Sequence, residues 1–189
     1  MKSLAEIAAQ LQGYDPHALP ADRVDAFLEQ LVQPVAGIEA IGITDALGRV
    51  LAADVISPFD VPPHDNSAMD GFAFDGGQLA PGTPLHLQVA GTALAGKAWQ
   101  GQVAPGQALK IMTGAILPAG LDTVVPQEFT RTAADGRIEV PADVVRRGDN
   151  RRLAGEDLMS GRAALPRGER LGPAACGLLA SLGLPTVDV

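Results

Sequence analysis

FDVPPHDNSAMDGFAF, running from Phe59 to Phe74, is the stretch whose reading decides the fold. Pro58, Pro62 and Pro63 fix φ and remove backbone donors, so Ser57 to His64 is predicted to run as a stiff, extended loop, neither helix nor central strand. Out of it come four short polar side chains, Asp65, Asn66, Ser67 and Asp70, followed directly by the apolar Phe72-Ala73-Phe74. A rigid polar loop anchored by aromatics suits a protein that holds carboxylates toward a ligand. Asp70-Gly71 between apolar residues also reads as a simple hairpin turn. Local chemistry leaves both readings open.

The chain has 189 residues, is 47% hydrophobic and carries a net charge of −8. That length and apolar content allow a sizeable core in one or two domains. The acidic balance argues against a nucleic-acid partner, which needs a basic face. No run approaches the roughly 20 apolar residues of a membrane-spanning helix, and the N-terminus lacks a signal-peptide core, so a cytoplasmic protein is expected. Cys176 is a single cysteine set among small apolar residues and permits no intrachain disulfide. His17, His64 and His86 are scattered, so no zinc cluster is expected. Neither a phosphate-binding Gly-x-x-x-x-Gly-Lys-Ser/Thr loop nor a Gly-x-Ser-x-Gly elbow is present. What chemistry there is must run through carboxylates, hydroxyls and arginines.

Outward from the central loop, the N-terminal side predicts two helices. Ser3 and Glu6 form a capping box before Leu4, Ile7, Ala8 and Leu11, with Gly13 as the stop. Asp22 caps a second helix bearing Val24, Phe27, Leu28, Leu31 and Val32 on one face, ended by Pro34. Ile41 to Thr44 reads as a strand, Asp45 to Gly48 as a short helical or turn segment, and Val50 to Ala52 as β-rich extended chain. On the C-terminal side, Leu85–Val89, Ala108–Met112, Thr123–Val125 and Ile138–Val140 are short apolar pieces separated by Gly and Pro turn signals, the pattern of a small antiparallel β barrel or sandwich. Leu171 to Leu182 reads as a helix with Pro173 at its start and Gly183 at its stop, before a strand at Thr186–Val189. The expected class is α+β, mainly β.

Two further constellations could carry chemistry. In Leu109-Lys110-Ile111-Met112-Thr113-Gly114-Ala115 a strand would deliver a hydroxyl and a flexible glycine, whose backbone amides can face an anion; equally, this is only a strand entering a turn. In the Arg147–Asp157 loop, arginine forks suit phosphate, and Glu156 and Asp157 suit a hard cation such as Mg²⁺. The alternative is a solvated loop whose charges pair with one another. Asp122 and Glu128 are open in the same way.

Three strings, DVPPHDNSAMDGFAF, LKIMTGAILPAGLDTVVPQE from Leu109 to Glu128 and GDNRRLAGEDL from Gly148 to Leu158, together resemble the molybdopterin molybdenumtransferase family, the MoeA proteins and the E domain of gephyrin. The resemblance implies insertion of molybdate into adenylylated molybdopterin, with release of AMP in a Mg²⁺-dependent step. It implies catalytic roles for Asp70, Thr113 and Asp157, with substrate contacts at Ser67, Gly114, Arg151 and Arg152. Asp70, Glu156 and Asp157 would hold Mg²⁺, and Thr113 with neighbouring amides would donate to an oxyanion. Phe72, His64 and Lys110 depart from the residues common in the family, which leaves those three roles untouched.

The same resemblance implies an architecture. Residues 1–37 would form an N-terminal helical segment whose apolar faces are partly unsatisfied in this chain; 38–56 and 162–189 would form a small discontinuous α/β-type domain; 57–161 would form the inserted β domain. A pterin-binding α/β domain and a C-terminal β domain would follow in the complete protein. A homodimer is implied, with the active site between subunits, as is contact with the molybdopterin adenylyltransferase, so residues 1–189 alone are expected to be nearly inactive. Two other readings stand beside this one: a non-catalytic dimeric scaffold of the same architecture, and an unrelated Mg²⁺ phosphohydrolase using Asp60, Asp65 and Asp70.

Overall fold

The structure is a computed structural model that describes Ala5, Glu6, Ala9, Ala21 and residues 24–32 and 35–189. It forms two units, Met1–Glu39 and Ala40–Val189. In the first, the apolar periodicity yields helix α1 (Val24–Leu31), on which Leu28 is 48% exposed; Val32, just beyond it, is 65% exposed. The Asp22 cap, the Pro34 stop and most of the predicted Ser3–Gly13 helix lie outside the described residues, although Ala5, Glu6 and Ala9 are helical.

In the second unit the strands are, in chain order, β1 (Ala40–Gly42), β2 (Val55–Ile56), β3 (Asn66–Ser67), β4 (Gly71–Phe74), β5 (Leu85–Ala93), β6 (Gln107–Ile111), β7 (Thr123–Pro126), β8 (Arg131–Thr132), β9 (Ile138–Val140), β10 (Arg151–Arg152), β11 (Ala163–Leu165) and β12 (Thr186–Asp188). Helix α2 spans Pro173–Ser181. Six strands form one sheet in the order β7-β4-β6-β5-β9-β8. Its middle is buried on both faces, which is why the strings there read as continuous apolar runs. Ala73, Leu109, Ile111 and Val124 enter one cluster, while Phe74, Ala108, Val125, Ile138 and Val140 enter another. The period of two sends alternate residues of each strand to opposite clusters.

The sheet corrects one expectation. It is mixed, because β5 pairs parallel with β6. Parallel neighbours cannot be joined by a tight turn and need a long crossover. Residues 94–106 provide it, and they lay Trp99 and Val103 against the first of those clusters.

A third cluster joins distant parts of the chain: Ala46 and Leu51 pack with Leu165, Leu171, Ala175, Leu179, Val187 and Val189. β1 pairs with β12, and β2 with β11, so two small sheets tie residues 40–56 to 163–188. The extended chain expected at Val50–Ala52 makes one bridge, from Val50 to Arg170, and the next strand lies at Val55–Ile56. The C-terminal helix follows its signals, with Pro173 in its first turn and Gly183 past its end at φ 72°. Between β2 and β3 the proline-rich segment runs as expected, without regular structure, and the Val61–Pro62 peptide is cis.

The Asp70-Gly71 pair is not a hairpin turn. Gly71 opens β4, sandwiched between Ile111 of β6 and Pro126 of β7. A Cβ there would lie 2.0 Å from the Val125 carbonyl oxygen, so the position requires glycine for close approach of two strands. Gly71→Ala is expected to destabilise the protein by about 1–3 kcal/mol, the usual cost of overpacking, and urea denaturation with unchanged slope will show it.

Candidate functional site at a three-loop junction

The two-residue strand β3 is the meeting place of the three sequence strings. On one side, Ser67 N donates to Ala115 O at 3.0 Å, Gly114 N to Ser67 O at 2.8 Å, and Leu117 N to Asp65 O at 2.9 Å. On the other, Ser67 and Asn66 pair with Arg151 and Arg152 of β10, and Ala68 N donates to Asn150 O at 2.9 Å. Asn150 can make that approach because it occupies the left-handed region at φ 59°, and its Nδ2 donates to Val124 O at 2.9 Å.

Asp65 fastens this junction. Arg151 directs Nε and Nη2 to Asp65 Oδ2, the Nε contact being 2.9 Å, and Ala154 N donates to Asp65 Oδ1 at 2.8 Å. The Ala154 amide, then Arg151, hold the carboxyl below the ordinary aspartate range against an opposing desolvation. Arg151 is therefore committed to a structural pair, and its backbone is fixed by β10. The sequence drew attention to Asp65 as one of four polar side chains; its role as a clamp needs the 86-residue separation from Arg151 to be closed in space.

Asp70 leaves the loop just before β4 and meets the end of β6. Both Thr113 donors fall on one oxygen: the amide and Oγ1 each reach Asp70 Oδ1 at 2.7 Å. Those two bonds, backbone first, lower the Asp70 pKa, and Lys110, which sits opposite Phe72 in the neighbouring strand, adds a favourable charge. Asp70 is thus an ionised, oriented carboxylate, and among the described residues its Oδ2 receives no donor. The Thr113 hydroxyl, expected as a donor to an oxyanion, is here a hydrogen-bond donor to Asp70. Gly114 stands at φ 78° with open space where a side chain would be, but its amide is taken by Ser67 O. Ser67, expected at the substrate, is 1% exposed, and its hydroxyl closes a turn by donating to Met69 O at 2.6 Å. It shapes the loop from within.

The third string folds on itself. Arg152 donates through Nε to Glu156 and through Nη2 to both Asp157 oxygens, at 2.9 and 2.8 Å. Glu156 is anchored a second time by Leu153 N at 2.7 Å; that amide, then Arg152, lower its pKa. Asp122 has a structural role, accepting from Gly76 N at 2.8 Å and from Arg147 Nε and Thr123 Oγ1. Glu128 is exposed after β7. Among the described residues, no three carboxylate, histidine or cysteine side chains gather as a metal cage, so Asp70, Glu156 and Asp157 are not brought into one cluster.

The Asp65 clamp has a pH signature. A carboxyl whose folded pKa is depressed adds stability that is present above about pH 4 and is lost as pH falls through its folded value. Asp65→Asn is expected to lose about 2 kcal/mol at neutral pH, the scale of a charge-assisted hydrogen bond. The difference from wild type should narrow as pH falls through the depressed folded value in thermal melts across pH.

Comparison with known proteins finds similarity along most of the chain. Residues 19–183 match the family described as the MoeA N-terminal region (domain I and II). The chain is 40% identical over 160 residues to the molybdopterin molybdenumtransferase of Haemophilus influenzae, covering 85% of this chain and 39% of that protein. It is 37% identical over 172 residues to molybdopterin molybdenumtransferase 2 of Mycobacterium tuberculosis, covering 88% and 40%. The chain thus spans about two fifths of the length of these relatives. A crystal structure of the molybdopterin biosynthesis moeA protein from Pyrococcus horikoshii superposes with a TM-score of 0.73 at 33% identity, over 84% of this chain and 42% of that one. With its three strings joined around one strand and the match running through all of them, the chain belongs to the MoeA N-terminal region family.

Proposed function

We propose that this chain is the N-terminal part of a molybdopterin molybdenumtransferase, acting in molybdenum cofactor biosynthesis to insert molybdate into adenylylated molybdopterin with release of AMP. The observation that carries the reading is the oriented Asp70 carboxylate beside a junction that holds Arg152, Glu156 and Asp157 on the neighbouring loop. The names of the relatives support it. Both substrates are anions, so the site must offset their charge while keeping a carboxylate ionised.

In this reading Thr113 orients Asp70 and keeps it deprotonated, and Arg151, locked to Asp65, positions the loop. Arg152 is the guanidinium available to a pyrophosphate, since its carboxylate partners are exposed. Asp70 and Asp157 would hold Mg²⁺, with waters and ligand phosphates completing its shell, a mode that needs no cage of three protein side chains. Bound there, Mg²⁺ would polarise the phosphate whose bond is cleaved. The β domain, the discontinuous domain, a homodimer with its site between subunits and contact with the adenylyltransferase are parts of the same proposal. Among the described residues no helix is long and apolar enough to cross a membrane.

The test is complementation by the gene that carries this chain in a host lacking molybdenum insertion, scored by molybdoenzyme activity. Wild type is expected to rescue, and a folded Asp70→Asn variant to fall by about 100-fold or more, the scale of losing an electrostatic group in a transition state. Thr113→Val, which removes one of two bonds to Asp70, should retain partial activity. No rescue by a folded wild-type protein would favour the non-catalytic scaffold.

A further inference from the structure

Arg152 holds two carboxylates that are fastened unequally. Glu156 has a second tether in the Leu153 amide, whereas the only donors to Asp157 oxygens among the described residues are those of Arg152 Nη2. The Asp157 side chain is 53% exposed and that of Arg152 41%. The Arg152 backbone cannot move to follow a ligand, because β10 pairs it with Asn66. One positive charge thus serves two negative ones, and the cluster has a net deficit of positive charge with one loosely held member.

We propose that Arg152 is an exchange point at which a phosphate group of the ligand displaces Asp157, freeing the Asp157 carboxylate for the cation that accompanies that phosphate. This rests on the reading of Arg152 as a phosphate contact and goes beyond it by ordering the events. Asp157 is held back by Arg152 until the anion arrives, so anion and cation bind cooperatively and the cation alone binds poorly. Glu156 stays on Nε throughout and keeps the guanidinium plane in place. The exchange conserves charge at Arg152: a carboxylate leaves as a phosphate oxygen takes its two N–H donors.

Binding of inorganic pyrophosphate to this chain, measured by calorimetry in EDTA to remove divalent cations, separates the outcomes. Asp157→Asn removes the competitor and is expected to tighten pyrophosphate binding about fivefold, the scale of an exposed ion pair. Glu128→Gln removes one exposed negative charge elsewhere in the loops and should change it by less than about twofold. In ¹⁵N spectra of the arginine side chains, the Arg152 Nη signal should shift on adding pyrophosphate while Nε changes little. Equal affinity in wild type and Asp157→Asn, with binding lost in Arg152→Gln, would overturn the exchange and leave the phosphate contact standing. An affinity unchanged by Arg152→Gln, or no binding by any variant, would overturn both.

Discussion

A strand of two residues must have its backbone satisfied on both sides, and that constraint organises the site. Asn66 and Ser67 lie between the 114–116 segment and β10. Ser67 is 1% exposed, and unpaired backbone groups at such a position cost as much as lost hydrogen bonds. The turn after β6 and the 149–154 loop are therefore held by the same short segment. Asp65, immediately before the strand, closes the arrangement by gripping Arg151 and the Ala154 amide. None of the three loops has a fixed shape independently of the other two.

Charge placement follows from this geometry. Two aspartates of the central loop, five residues apart in number, play different parts because of what faces them. Asp65 meets an arginine and is consumed in holding structure. Asp70 meets a threonine and is left ionised, with one oxygen that receives no donor among the described residues. The apolar sheet beneath supplies rigidity: β4 and β6, which flank the Asp70–Thr113 contact, send buried residues into the clusters on both faces. Exposed carboxylates on a mobile loop would titrate near their ordinary values and point in no fixed direction; here hydrogen bonds from a sheet end set both properties.

Much of this was legible in the residues. The prolines before Asp65 forced an irregular segment, and the short apolar pieces at Ala108–Met112 and Thr123–Val125 lay where β6 and β7 were found. The Pro173 and Gly183 signals bounded the last helix closely. What could not be read was anything set by distant pairing. The parallel partnership of β5 with β6 depends on a crossover, and local turn signals describe only neighbours. Asp65 and Asp70 have the same chemistry in the sequence, and their division of labour comes from Arg151 and Thr113, brought in from elsewhere. Ser67 was placed at the substrate by the family resemblance; in the structure it is buried with its hydroxyl donating inward to Met69 O. In the Arg147–Asp157 loop the charges pair with one another, Arg152 with Glu156 and Asp157, as one of its two readings expected.

The coupling of three loops through one strand is tested most directly by native-state amide hydrogen exchange at Gly114, Leu117, Ala68 and Ala154, whose amides report the separate arms of the junction. If β3 joins them, all four open with a common free energy, and Asp65→Ala lowers the protection of all four together. Exchange of Ala68 and Ala154 with an opening energy different from that of Gly114 and Leu117, unmoved in step by Asp65→Ala, would show the loops to be independent and contradict the central role of the strand.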